Sequence, residues 1–339
     1  MKKVSYVVDS YFHKNILFDK DQTSIVARDD CLKPYHILFE EFYKNGYLIA
    51  TNDIHTIEDS DIVIYSDMPK KLPLKKDINK SYLLMLESPL VCPQNFDIEK
   101  HKYFNKIFTW DDRLIDNKKY FKYNYSFVIP KSIPKKLDKQ KLLCLIVGNK
   151  YSNYPDELYS KRRELIRWFE ANHSEDFDLY GVGWNEFRFS GILPIRALNR
   201  VSLARGIAYK LFGENYPSYK GKIANKFETM QNYKFAICYE NIQNISGYIT
   251  EKMLDAMFAG CVPIYLGADN VAVHIPQNSF IDKKNFSTYE ELYKYISNIS
   301  DDEYMKYLEN IECFLNSEKG FSFSAEVNAD RLVQVINKG

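Results

Sequence analysis

Short apolar runs and longer amphipathic stretches alternate along most of this chain. Residues 4–8, 47–50, 62–65, 82–86 and 104–109 are β-prone and apolar. The runs at 62–65 and 82–86 lack the polar alternation of a half-exposed strand, so they predict strands buried on both faces of a parallel sheet. Residues 35–43 read as a helix leading to Gly46. Strand and helix in alternation predict an α/β domain. At 130–141 the chain reads PKSIPKKLDKQK, rich in proline and lysine and poor in apolar residues, as a linker would be. The pattern then restarts, with a strand at 142–147, a helix at 158–171 and a strand at 177–180. Residues 289–338 read as helices, with Tyr289, Leu292, Tyr293 and Ile296 on one face. The expected division is a first domain over 1–138 and a second, with a helical tail, over 139–339.

The segment 233–282 carries the sharpest signal. Residues 235–239 form an apolar strand that ends at Glu240-Asn241. Thr250 is a good helix N-cap, with Glu251 in the first turn, where a carboxylate suits the helix dipole. Leu254, Met257 and Phe258 follow at i, i+3 and i+4, Gly260 supplies a left-handed stop, and 262–266 is the next strand. Lys252 breaks the pattern. A cation in the first turn opposes the dipole unless an anion lies there, and helix N-termini that follow a strand and a loop bind phosphate. The alternative is a lysine that snorkels to solvent at a cost of about a few tenths of a kcal/mol.

Composition narrows the function classes. Forty-six basic and 45 acidic residues leave a net charge of +1, which argues against a nucleic-acid binder driven by bulk electrostatics. No run approaches the ~18 apolar residues of a membrane span, and the basic N-terminus is interrupted by Asp9 too early for a signal peptide. The six cysteines (Cys31, Cys92, Cys144, Cys238, Cys261 and Cys313) contain no CxxC pair, so buried free thiols in a reducing compartment are expected. The histidines show no metal-ligand spacing.

Several side chains carry candidate chemistry. Glu87 follows an apolar strand and precedes Ser88-Pro89, at the C-terminal end of a parallel strand where α/β sites form. The same carboxylate could instead cap a turn before proline. Lys161, Arg162, Arg163 and Arg167 lie on one predicted helix and, taken alone, read as a solvated basic face. Gly181-Val182-Gly183 follows a strand but is only part of a phosphate-loop glycine motif. Asp59-Ser60-Asp61 and Asp176-Phe177-Asp178 invite a metal reading, yet both precede their strands and are expected to be solvated turns away from the ligand crevice. Between 185 and 226, Arg188, Arg196, Arg200, Arg205, Lys210, Lys220, Lys222 and Lys226 read as a mixed insertion with solvated charges rather than a basic patch for an acidic glycan, lipid headgroup or RNA.

Taken in order, Phe235…Glu240-Asn241, Tyr248-Ile249-Thr250-Glu251-Lys252, Val262-Pro263-Ile264-Tyr265-Leu266-Gly267 and Pro276-Gln277-Asn278-Ser279-Phe280-Ile281 resemble the signature of the α-1,3/1,4-fucosyltransferases, glycosyltransferase family 10. The resemblance implies a GT-B fold, two Rossmann-like domains facing a cleft, with the acceptor on the first and the donor on the second. It implies an inverting enzyme that moves L-fucose from GDP-fucose to a hydroxyl of an acceptor glycan, forming an α-1,3 linkage to N-acetylglucosamine or glucose. Another GDP-sugar or acceptor, or a non-catalytic nucleotide-sugar- or glycan-binding protein, is the alternative. Carried over by motif, Arg162 (with Arg163 as its neighbouring alternative), Asn241 and Lys252 face the diphosphate. Tyr248 lies beside it, Glu251 accepts from the ribose hydroxyls, Gly181 lies near the nucleotide and Glu87 is the general base. No cofactor, metal or nucleic acid is implied. Animal members have an N-terminal membrane span and some bacterial ones a heptad-repeat tail. Neither is read here, so a cytoplasmic protein of the bacterial or viral type is expected, with room for peripheral membrane association.

Overall fold

The computed structural model describes residues 1–20, 31–187, 189 and 192–338. The first sheet is built from β1 (Lys2–Val7), β2 (Tyr47–Thr51), β3 (Ile62–Ser66), β4 (Ser81–Met85), β5 (Lys106–Thr109) and β6 (Tyr120–Lys122), with α1 (Lys33–Lys44) between β1 and β2. All pairings are parallel, in the order β2-β1-β3-β4-β5-β6. The second sheet comprises β7 (Lys141–Ile146), β8 (Phe177–Tyr180), β9 (Tyr219–Gly221), β10 (Tyr233–Tyr239), β11 (Val262–Leu266) and β12 (Ile281–Asp282), again all parallel. Helix α2 (Tyr159–Asn172) joins β7 to β8. Helices α3 (Leu193–Ala197), α4 (Ser202–Phe212) and α5 (Lys226–Met230) lie between β8 and β10, and α6 (Glu251–Phe258) connects β10 to β11. After α7 (Val271–His274) and β12 come α8 (Tyr289–Asn298), α9 (Asp301–Leu315), α10 (Glu318–Phe321) and α11 (Ala325–Asn337).

Strand order locates the crevices. From its edge the second sheet runs β9-β8-β7-β10-β11-β12, the doubly wound order in which chain direction across the sheet reverses between the first and fourth strands, here β7 and β10. In the first sheet the reversal falls between β1 and β3. Ligands bind beyond the carboxyl ends of strands at such reversals, which here means the loops after β7 and β10, and those after β1 and β3. Strands β3 and β4 are buried almost throughout, as their uninterrupted apolar sequences require.

Two features depart from the sequence reading. The helical tail expected in the second domain ends elsewhere: Ala329, Leu332, Val333 and Ile336 of α11 pack with Val4, Tyr6, Leu38 and Phe42 in the core of the first sheet. The chain therefore crosses between the two sheets twice. The lysine-rich connector, too, is docked rather than free. Ile133 is buried, Lys139 Nζ donates to the carbonyls of Gln231 and Gly260 at 2.8 Å each, and Pro134 lies against Gly260. Gly260 has φ +63°, the left-handed stop expected after α6.

Loops from the carboxyl edges of both sheets meet directly. Trp110 after β5 packs with Ile242, Ile245 and Tyr248 after β10 in one buried cluster. Asp112 accepts from Asn270 Nδ2 at 2.7 Å, lies 2.6 Å from His274 Nε2, and takes Lys122 Nζ at 2.6 Å on its other oxygen. Burial would raise the Asp112 carboxyl, but these three partners hold it well below the usual range.

Candidate functional site

The loop after β10 builds the donor side. Glu240, wholly buried, is the hub. Its Oε1 accepts the Thr250 amide at 2.8 Å and its Oε2 the Thr250 hydroxyl at 2.7 Å. Lys252 Nζ lies 3.3 Å from Glu240 Oε2 and donates to Thr250 Oγ1 at 3.0 Å and Glu251 Oε1 at 3.1 Å. Thr250 occupies the N-cap position of α6 as expected, but its side chain caps no helix amide because it is committed to Glu240. The anion that the dipole argument demands at Lys252 is thus met within the chain by two carboxylates.

Those charges set the protonation states. Burial would lower Lys252, but Glu251 and Glu240 raise it well above an ordinary lysine. Burial would likewise raise Glu251, yet Lys252 and Lys226 bring it down to about 2. Glu240 stays above the usual carboxylate range because burial outweighs Lys252. At neutral pH the first turn of α6 presents a firm cation beside a firm anion, the latter with 41% of its side chain exposed.

Arg162 is 3% exposed and reaches from α2 under the end of β10. One terminal nitrogen donates to the carbonyls of Tyr239 at 2.6 Å and Glu240 at 2.7 Å and to Asn241 Oδ1 at 3.1 Å. Its Nε is buried without a partner among the described residues. Arg163 instead points outward, bonding the Lys150 carbonyl at 2.8 Å and stacking over Tyr151 at 4.0 Å. The structure therefore joins Arg162, not Arg163, to Asn241.

Across the cleft, Glu87 leaves the end of β4 half-buried. Its backbone is fixed from several directions. Leu86 O accepts Trp110 Nε1 at 2.8 Å and the Tyr125 hydroxyl at 2.6 Å. Asp67 Oδ1 accepts the amides of Leu86 at 2.8 Å and Glu87 at 2.9 Å, and Asn95 Nδ2 donates both to Asp67 Oδ1 at 2.6 Å and to Glu87 O at 3.2 Å. Burial, then the charges of Asp67 and Glu251, raise the Glu87 carboxyl above its ordinary value, while Lys150 and Lys252 pull the other way. Trp110, which bonds the Leu86 carbonyl, also packs against Tyr248, so the loop carrying Glu87 and the loop leading to Glu251–Lys252 border one site.

Tyr248, expected beside the diphosphate, is 1% exposed. It stands between Trp110, at 4.7 Å between ring centroids, and Tyr125, at 6.3 Å. Its hydroxyl is driven up by burial, so the ring acts as a neutral pillar where the domains meet. Gly181 (φ +131°) comes so close to the backbone just after β7 that an added Cβ would lie 1.9 Å from the Val147 carbonyl oxygen. Gly181→Ala is expected to cost about 3 kcal/mol or more, read as a lowered denaturant midpoint; an unchanged midpoint would remove this backbone requirement.

Asp67, Asn95, Glu240 and Lys150 were not singled out in the sequence. Glu240 sat inside the quoted Glu-Asn pair, read only as a strand terminator. Asp67 (φ +63°) ends β3, where a lone carboxylate looks like a turn residue. Because its charge raises Glu87, Asp67→Asn keeps an acceptor for the two amides and removes that push. The acid limb of kcat/KM is expected to move to lower pH, since an ionised base then survives further into acid; an unmoved limb would show that Asp67 acts only as a bonding group.

Two expectations are corrected. Asp178 is not a solvated turn. It lies within β8, 3% exposed, 2.9 Å from Lys141 Nζ, and accepts the Tyr233 hydroxyl at 2.6 Å. Among the described residues no group of His, Cys, Asp and Glu side chains has the arrangement to hold a metal ion. No cysteine is in a disulfide, but only Cys144, Cys238 and Cys261 are buried, whereas Cys31 and Cys313 are exposed. Arg188 lies outside the described residues. No helix among them is long and apolar enough to cross a membrane.

Two parallel sheets with paired carboxyl-edge loops define a GT-B glycosyltransferase fold. Solved structures agree: an α1,3-fucosyltransferase with GDP-fucose aligns with TM-score 0.56 at 16% identity, covering 99% of this chain and 90% of that one. The lipopolysaccharide glycosyltransferase WaaG gives 0.58 at 11%, covering 99% and 100%. Anabaena HepE with UDP-glucose gives 0.56 at 9%, covering 100% of both. At such identities the likeness fixes the fold alone. In sequence, residues 196–322 match the profile of glycosyltransferase family 10 (fucosyltransferase), C-terminal domain. An α-(1,3)-fucosyltransferase of Helicobacter pylori is 40% identical over 74 residues, 22% of this chain and 15% of that protein. An α-(1,4)-fucosyltransferase of Arabidopsis thaliana is 41% identical over 73 residues, 22% and 18%. The matched stretches span less than a fifth of either relative's length.

Proposed function

We propose that the chain transfers L-fucose from GDP-fucose, with inversion, to a hydroxyl of a glycan carrying N-acetylglucosamine or glucose, forming an α-1,3 linkage. The observation that carries this reading is Trp110, which bonds the Leu86 carbonyl beside Glu87 and packs 4.7 Å from Tyr248, so that the Glu87 loop and the loop leading to Glu251 and Lys252, within the stretch that matches family 10, border one site. Glu87 takes the proton of the acceptor hydroxyl, and its raised affinity for protons suits that task. The acceptor oxygen forms its bond to the anomeric carbon from the face opposite the phosphate. The bond from that carbon to the phosphate oxygen breaks, and its electron pair leaves with GDP. Lys252, the start of α6 and Arg162, joined to Asn241, then serve the diphosphate, so the departing charge needs no metal. Asn241 holds the Arg162 guanidinium in place, and Glu251 accepts from the ribose hydroxyls.

The acceptor lies over the first sheet and the donor over the second, dividing the chain at about the connector that enters β7. A cytoplasmic setting fits six cysteines outside disulfides.

The test is transfer from GDP-fucose to N-acetyllactosamine and lactose, with the product's anomeric configuration and linkage read by NMR. An α-1,3 fucoside supports the proposal. A β product would overturn inversion, and transfer from GDP-mannose alone would replace the sugar while leaving the site intact.

A further inference from the structure

Between β8 and β9 the chain inserts α3 and α4, and their apolar side chains point the wrong way for a core. On α4, Leu203, Ile207 and Leu211 recur every fourth residue, with exposures of 72%, 53% and 68%, and Phe212 at its end is 72% exposed. Only Ala208 of this helix is buried. Ile192 and Leu193, at the start of α3, are 69% and 80% exposed. An amphipathic helix of a soluble domain turns its apolar stripe inward. This one turns it out, and contiguous exposed apolar surface marks an interaction site.

Charge identifies the partner. The whole chain is nearly balanced, yet residues 192–213 contain Arg196, Arg200, Arg205 and Lys210 and no aspartate or glutamate. Arg205 pairs with Glu186 at 2.8 Å. Arg196, Arg200 and Lys210 are exposed, and none forms an ion pair with a described residue. A helix that combines an outward apolar stripe with basic residues and few acids suits the headgroup region of a bilayer, where apolar side chains enter the acyl boundary and cations meet anionic lipid. A second copy of the chain would set the same cations against one another. Nucleic acid would leave the leucine stripe in water.

We propose that α3 and α4 form an interfacial docking element that holds the protein on a membrane surface carrying anionic lipid headgroups. The inference does not depend on which sugar is transferred.

Flotation of the full chain with vesicles tests it, using phosphatidylcholine alone and phosphatidylcholine mixed in equal parts with phosphatidylglycerol. The expected result is binding to the anionic vesicles that weakens with salt. The double variant Leu203→Glu/Leu211→Glu is expected to bind at least about tenfold more weakly, and Arg200→Glu/Lys210→Glu to lose the preference for phosphatidylglycerol. Both pairs are exposed, so circular dichroism is expected to match wild type. Absence of wild-type binding to either vesicle overturns the proposal, as does undiminished binding by both variants. A dimer in solution that the leucine substitutions dissociate, without vesicle binding, would assign the face to a second copy instead.

Discussion

Lys252→Ala is expected to lower kcat/KM with GDP-fucose by about 10²–10³-fold, the usual loss when one preorganised stabiliser of a leaving oxyanion is removed. It is also expected to destabilise the fold, because Glu240, wholly buried and 3.3 Å from Lys252 Nζ, is left without its cation. Breaking such a pair from one side costs about 3–5 kcal/mol. The pH dependence gives the mechanism away. The Glu240 carboxyl already stands above its ordinary value in the fold, so its contribution to stability is fully present below the unfolded value and is lost as pH rises through the folded one. Without Lys252 that loss grows, so the variant's deficit is expected to be largest near neutrality and to shrink in acid, where Glu240 takes up a proton. Glu251 runs the other way. Held down to about 2, it stabilises above its unfolded value, and that stability is lost as pH falls through about 2, so removing Lys252 removes part of a term present at neutral pH. Urea denaturation at two pH values checks this; a deficit independent of pH would mean that Glu240 is not the group left uncompensated.

Glu87→Gln is expected to reduce turnover by about 10²–10⁴-fold, the range for losing a general base, while GDP still binds. Glutamine keeps the size of the side chain, and the backbone stays fixed because Asp67, Asn95, Trp110 and Tyr125 bond main-chain atoms of residues 86 and 87 rather than the carboxylate. In wild type the acid limb of kcat/KM is expected above the ~4.3 of an unperturbed glutamate, since burial, Asp67 and Glu251 all raise the carboxyl. Turnover and calorimetric GDP binding separate the outcomes. Retained turnover would move the base to another residue. Loss of GDP binding together with turnover would make Glu87 a donor ligand rather than a base.

Much of the fold was legible because most of its central strands are uninterrupted apolar runs. Residues 62–65, 82–86, 177–180 and 262–266 lie in or beside the strands Ile62–Ser66, Ser81–Met85, Phe177–Tyr180 and Val262–Leu266. The edge strands β6, β9 and β12 are too short to build a periodic signal. The α3–α4 insertion was opaque for a different reason: its apolar positions do not face a core. Nor can the destination of α11 be read from α11 itself, since any amphipathic helix leaves its partner surface open. At the site, the sequence singles out Asn241, Tyr248, Glu251 and Lys252 within the signature motif, but not the groups acting through the backbone. Asp67 and Glu240 are carboxylates at strand ends, a pattern shared with ordinary turns, and their roles depend on neighbours distant in sequence, such as Asn95 and Lys252. The aromatic chemistry of Tyr248 was also hidden, because Trp110 and Tyr125 reach it from the other domain.

In the proposed function, loops from both sheets assemble one site for a GDP-sugar. The most direct test is a thermal-shift panel of GDP, GDP-fucose, GDP-mannose, UDP-galactose and UDP-N-acetylglucosamine on the wild-type chain, since a ligand of the native state at a hundred times its Kd adds about 2.7 kcal/mol of stability. Stabilisation by GDP and GDP-fucose, with none from the UDP-sugars, is the predicted result. Stabilisation by the UDP-sugars, or by no nucleotide, would contradict the account.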